Sequence, residues 1–119
     1  MKILVVDDEK IISSSLQRVL TRAGHEVMVA NNGVEALRII SENKKFEVVF
    51  LDLLMPEIGG AEVLDFAKRA MPQAKVLMMT AYGDLSVKED LVARGALRVL
   101  AKPFDDITLI PQMVTELGN

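Results

Sequence analysis

Apolar residues along this chain fall into two kinds of stretch, short unbroken runs and longer segments in which they recur every three or four positions. Ile3-Leu4-Val5-Val6, Val48-Val49-Phe50-Leu51 and the Val76 to Met79 part of a strand read over Lys75 to Met79 are of the first kind. Runs without polar alternation suit strands covered on both faces, as in a parallel sheet. His25 to Ala30 and Arg98 to Ala101 read as two further strands. Between them lie helical repeats: Ile12, Leu16, Val19, Leu20 and Ala23; then Ala36, Leu37 and Ile40; then Val63, Leu64, Ala67 and Ala70. Ser86 to Ala93 predicts a weaker, more polar helix, and Ile110, Met113, Val114 and Leu117 give a last one. Pro111 lies inside that last pattern, so its regular turns start only after Thr108, where a missing N–H costs little. Gly24, Asn31-Asn32-Gly33, Asn43-Lys44-Lys45, Pro72 and Gly95 punctuate the elements.

Five strands alternating with five helices specify an α/β fold: an open, parallel, five-stranded sheet with helices on both faces, in three layers. The chain shows no linker or internal repeat, and residues 1–119 are expected to form one domain. Such sheets place their chemistry beyond the C-terminal strand ends. In this sequence those ends carry Asp7-Asp8, Asp52, Thr80 and Lys102.

Composition narrows the function classes. There are no cysteines, which excludes disulfides, thiol catalysis and thiolate metal sites. Net charge is -3 and the 14 Lys and Arg are scattered, so no basic stripe is offered to nucleic acid directly. The apolar run after Lys2 meets Asp7-Asp8-Glu9 too soon for a signal peptide or membrane span, so a cytoplasmic protein without a membrane partner is expected. His25 reads as a solvated strand residue, the seven Met as packing, and Glu9-Lys10 and Lys88-Glu89-Asp90 as solvated helix charges.

Singly, the strand-end residues have ordinary uses: an Asp caps a helix or begins a turn, a Thr suits a strand, a Lys is solvated. Assembled at one sheet edge they are costly, since like charges ~4 Å apart repel by roughly 4 kcal/mol at an effective dielectric of 20. A hard divalent cation, Mg2+ by preference, would offset that repulsion, with Asp7 and Asp8 holding the metal. Lys102 adds an ammonium and Thr80 a hydroxyl donor, a set suited to a phosphoryl group in transfer. The nucleophile is then the carboxylate on the central strand, Asp52. For Lys102 to turn back over the strand ends while the chain leaves for the last helix, a cis peptide before Pro103 is expected.

In its pairing of Asp7-Asp8, Asp52 with Met55-Pro56, Thr80-Ala81 and Lys102-Pro103-Phe104, the sequence resembles the response-regulator receiver domains of bacterial two-component signalling. The resemblance covers the whole chain. It implies a flavodoxin-like receiver fold with strand order 2-1-3-4-5, and a phosphoacceptor signalling domain, not an enzyme, that assists its own phosphorylation and dephosphorylation. It further implies that Asp52 takes a phosphoryl group from a sensor histidine kinase or phosphotransfer protein. Asp8 and Asp52 would touch Mg2+ directly, Asp7 through water and Leu54 through its backbone carbonyl, while Thr80 and Lys102 bind the phosphoryl oxygens. The last helix, with the fourth helix and fifth strand, would face an output domain, a downstream protein or a second, phosphorylated copy. Gly118-Asn119 is where a linker to an output domain would begin.

Two positions depart from the family pattern. Val99 stands where an aromatic switch residue is common, and Gly59 where an Asp or Asn often precedes the loop glycine. Tyr82 is the candidate substitute for the missing switch ring, and Leu54 and Tyr82 flank the approach of a hydrolytic water. A haloacid-dehalogenase-like phosphatase would need a second acid two residues after Asp52, where Leu54 stands. A flavodoxin would need a phosphate loop where this chain has three acids. The serious alternative is an interaction module that keeps the fold and works without phosphorylation.

Overall fold

The computed structural model describes residues 1–117; Gly118 and Asn119, the expected start of a linker, lie outside the described residues. Strands β1 (Lys2–Val6), β2 (Glu26–Ala30), β3 (Val48–Asp52), β4 (Lys75–Thr80) and β5 (Arg98–Ala101) form one parallel sheet in the order β2-β1-β3-β4-β5. Helices α1 (Lys10–Arg22), α2 (Gly33–Glu42), α3 (Gly60–Ala70), α4 (Leu85–Ala93) and α5 (Ile110–Leu117) alternate with the strands, and a 3-10 turn (Ile107–Leu109) leads into α5. The predicted class and winding are both present. No helix among the described residues is long and apolar enough to cross a membrane.

Alternate strand residues feed two cores, because successive side chains leave opposite faces of a sheet. Leu4, Val6, Val49, Leu51, Val76 and Met78 pack with Ile40, Val63, Leu64 and Leu91 from α2, α3 and α4. Ile3, Val5, Val48, Phe50, Leu77 and Met79 pack with Leu16, Leu20, Ile110 and Val114 from α1 and α5. All five residues of β3 are buried, which accounts for its unbroken apolar run.

The helices start and stop where side chains can satisfy their ends. Asn32 accepts from the Glu35 N–H at the start of α2, and Asp84 from the Val87 N–H at the start of α4. Gly24, at φ 96, follows α1. Ala23, expected on the inward repeat of that helix, is instead exposed: α1 ends at Arg22 and Ala23 is its C-cap, its N–H held by the carbonyls of Val19 and Leu20.

Register positions the site. Val6 pairs with Leu51, so Asp7 emerges beside Asp52, while Asp52 pairs with Met79 and Thr80 with Ala101, one residue before Lys102. The ladder continues past the strands through Leu53 N–H to Met79 O (2.9 Å) and Lys102 N–H to Thr80 O (3.0 Å). Gly60 lets the loop after β3 return tightly, because a side chain there would collide with the Asp52 carbonyl.

Candidate functional site

Three polar side chains at these strand ends are buried: Asp7, Asp52 and Thr80. Asp8 is exposed, and one carboxylate oxygen from each of Asp7, Asp8 and Asp52 lies within 4.8 Å of the others. Lys102 reaches back from β5, its side chain only 7% exposed, and places Nζ 3.0 Å from Asp7 Oδ2 and 3.4 Å from Asp52 Oδ1. The Lys102–Pro103 peptide is cis. Thr80 Oγ1 accepts the Tyr82 N–H at 3.0 Å, which leaves the hydroxyl proton to donate elsewhere.

Burial, and then the neighbouring Asp7 charge, push the Asp52 carboxyl up to about 7, against the lowering influence of Lys102. Burial alone would lower the Lys102 pKa; hydrogen bonds to Glu9 and Asp7, with the charges of Asp52 and Asp7, outweigh it and hold the amine above its ordinary range. One ammonium therefore does not compensate the acids. A cation held on the remaining carboxylate oxygens would, and an all-oxygen set at this spacing fits a hard ion such as Mg2+. The site opens into a cavity of ≈ 300 Å³ lined by Asp8, Glu9, Asp52, Leu54, Thr80, Ala81, Tyr82 and Lys102.

Glu9 adds to the sequence reading: its side chain is 62% exposed, as a solvated charge should be, but it stands at the N-cap of α1 and its Oε1 accepts from Lys102 Nζ at 2.8 Å. Nothing local signals this, because the partner lies 93 residues away. Asp90, also read as solvated, pairs with Arg94 one turn on (3.3 Å). His25 is half-buried, with Nδ1 3.1 Å from the N-terminal nitrogen. Of the residues assigned to switching and access, Val99 is half-buried against the α2–α3–α4 core, while Tyr82 and Leu54 are 74% and 58% exposed at the cavity mouth.

Comparison with known proteins agrees with this geometry. A family profile described as "Response regulator receiver domain" matches residues 3–114. The chain belongs to the response-regulator receiver domains. Sporulation initiation phosphotransferase F of Bacillus subtilis is 38% identical over 104 residues, covering 87% of this chain and 83% of that protein. A CheY-like receiver domain structure from Methanospirillum hungatei superposes with a TM-score of 0.88 at 31% identity, covering 98% of this chain and 93% of that one. A response regulator from Burkholderia pseudomallei, crystallised with a phosphorylated aspartic acid, a calcium ion and citrate, superposes at 0.84 with 28% identity, covering 98% of this chain and 72% of that one. Other curated relatives are longer: the match covers 23% of the transcriptional regulatory protein ZraR and 49% of the response regulator MprA. The receiver is thus a signalling domain of two-component systems.

Proposed function

We propose that residues 1–119 form one receiver unit in which Asp52 accepts a phosphoryl group, with Mg2+ bound, from a histidine kinase or phosphotransfer protein. The observation that carries this reading is Asp52 itself, a buried carboxylate at the end of the central strand, 3.4 Å from an ammonium and facing a cavity of ≈ 300 Å³. An Asp52 oxygen attacks phosphorus in line with the leaving group. The new O–P bond forms as the P–N bond of a phosphohistidine breaks, and the departing imidazole keeps the electron pair and takes a proton from water. Lys102 and the Thr80 hydroxyl donate to the phosphoryl oxygens, and the burial of both donors limits competition from water. Mg2+, when bound, supplies positive charge to the acids and to the transferring oxygens; Asp7, Asp8, Asp52 and the Leu54 carbonyl would hold it. The phosphorylated aspartic acid and calcium ion named for the Burkholderia protein support the same chemistry on a related scaffold.

Phosphorylation then alters the face formed by α4, β5 and α5, to which an output domain, a downstream protein or a second copy binds, with Tyr82 taking the part of the absent ring at Val99. The chemical step is tested by intact-mass spectrometry after treatment with acetyl phosphate and Mg2+. Wild type gains one phosphoryl group, and Asp52→Asn or removal of the metal with EDTA abolishes the gain. Equal labelling of Asp52→Asn would defeat the assignment, and no labelling of wild type would leave a module that works through its surface alone.

A further inference from the structure

Three carboxylate oxygens surround the Lys102 ammonium: Glu9 Oε1 at 2.8 Å, Asp7 Oδ2 at 3.0 Å and Asp52 Oδ1 at 3.4 Å. An ammonium has three N–H donors, and two of them are held in hydrogen bonds by Glu9 and Asp7, with Asp52 at ion-pair distance. A phosphoryl group on Asp52 brings new anionic oxygens into the cavity, whose wall includes both Glu9 and Lys102. Moving the ammonium towards them stretches the hydrogen bonds that hold it back on Glu9 and Asp7.

Release does not cost the same for each partner. Asp7 is fully buried, and its other oxygen holds the Glu9 N–H at 2.9 Å; turning it away would leave a carboxylate uncompensated and out of reach of water. Asp52 is the phosphoryl acceptor. The Glu9 side chain is 62% exposed and passes into solvent at little cost. Glu9 occupies the N-cap position of α1 without making a side-chain cap, so its carboxylate serves the far side of the site, not its own helix.

Building on the Asp52 reading above, we propose that Glu9 is a releasable latch: it holds the Lys102 ammonium in the unphosphorylated protein and surrenders it to a phosphoryl oxygen, so that this exchange limits phosphoryl uptake. Glu9 is a positioning residue that acts through Lys102.

The test compares wild type, Glu9→Ala and Glu9→Asp. Uptake from acetyl phosphate with Mg2+ is followed by intact mass at low and high salt, and the Lys102 Nζ resonance is recorded by nitrogen-15 NMR without any donor. Glu9→Asp keeps the charge at the cavity mouth but is one methylene too short to hold Nζ. Both variants should take up phosphoryl roughly two- to fivefold faster, the scale of one partly exposed ion pair lost from the barrier. Most of the acceleration should persist at high salt, because a contact pair with its ammonium buried is screened far less than a long-range repulsion of the donor. In both variants the Nζ resonance should shift and its protons exchange faster with water. An unchanged resonance in Glu9→Ala overturns the latch. So does Glu9→Asp reacting as slowly as wild type, which would reduce Glu9 to a charge that repels donors, or slower uptake in Glu9→Ala. A shifted resonance with no phosphoryl uptake by wild type overturns instead the Asp52 reading, and the exchange step with it.

Discussion

Strand β3 buries all five of its residues between two helical layers, whereas helix α4 buries Leu91 alone of its nine. β3 carries the phosphoacceptor candidate and α4 lies on the face assigned to partners. Chemistry that needs atoms held to a fraction of an ångström sits on the element that cannot move without breaking both cores. The element expected to report it is held by little apolar surface and, through Arg94, by polar contacts to α3. Low local stability is what a moving segment requires.

The largest effect should come from attacking this contrast directly. Phe50→Ala removes a fully buried ring at the centre of β3 and should cost about 3–5 kcal/mol in urea unfolding. Leu91→Ala should cost about 2 kcal/mol, near the low end for a buried leucine, and its hydrogen exchange should rise mainly across residues 85–93. Equal global losses for the two would mean that α4 folds as firmly as β3.

A second test reads the electrostatic side of the rigid region. With its folded pKa raised from 3.8 to about 7, Asp52 binds a proton more tightly in the folded protein than in the unfolded chain. Its favourable contribution is therefore complete below about pH 4 and is lost as pH rises through about 7. In EDTA, Asp52→Asn should match wild type near pH 4 and exceed it above pH 7 by roughly 1–2 kcal/mol, after discounting for screening at the open cavity. Parallel stability curves would show that burial in β3 does not strain this carboxylate.

Much of this site was legible because it is written one residue at a time at strand ends. Asp7 and Asp52 each follow or end an apolar run, and parallel register then sets them side by side. The expectation of Mg2+ and phosphoryl chemistry rests on the residue types, and the strand order, now observed, came from the family resemblance. Glu9 was not legible, since its sequence neighbours are charges and its partner lies just past β5. The Arg94–Asp65 pair was equally hidden: 29 residues separate the partners, and periodicity does not say where a guanidinium on one helix points on another. Ala23 fitted the helical period but fell just past the helix end, where period no longer predicts burial.

The access residues link the two regions. Leu54 follows β3 and Tyr82 precedes α4, and both line the cavity without a group that would orient an attacking water as a carboxylate or amide can. Leu54→Asn and Tyr82→Glu should each speed dephosphorylation of the purified phosphoprotein, together by up to about tenfold, equivalent to about 1.4 kcal/mol in the barrier. Unchanged lifetimes in both would remove access at these positions as the control.

The smallest effect is expected where α4 is tied down. Arg94 Nη2 lies 2.6 Å from Asp65 Oδ2 and Nε 3.2 Å from Asp65 Oδ1, a two-pronged pair between the end of α4 and the middle of α3. Both side chains are more than a third exposed or nearly so, at 34% and 40%, so solvent screens the pair and about 0.5–1 kcal/mol is the scale of its worth. Asp65 is held below its ordinary pKa, chiefly by its hydrogen bonds to Arg94. The contribution is therefore present above the unfolded carboxylate pKa and is lost as pH falls through the depressed one. Arg94 also touches Asp90 on its own helix (3.3 Å), so Arg94→Ala alone mixes two interactions. A double-mutant cycle of Arg94→Ala with Asp65→Ala isolates the bridge between helices. At neutral pH its coupling energy should be measurable and should shrink in high salt, while exchange in α4 rises and exchange in β3 does not. A coupling of zero would leave Leu91, its half-buried neighbours and the Arg94 contact to the Ala61 carbonyl (3.4 Å) as the attachment of α4 to α3, and would make the difference between the two regions larger than the structure implies.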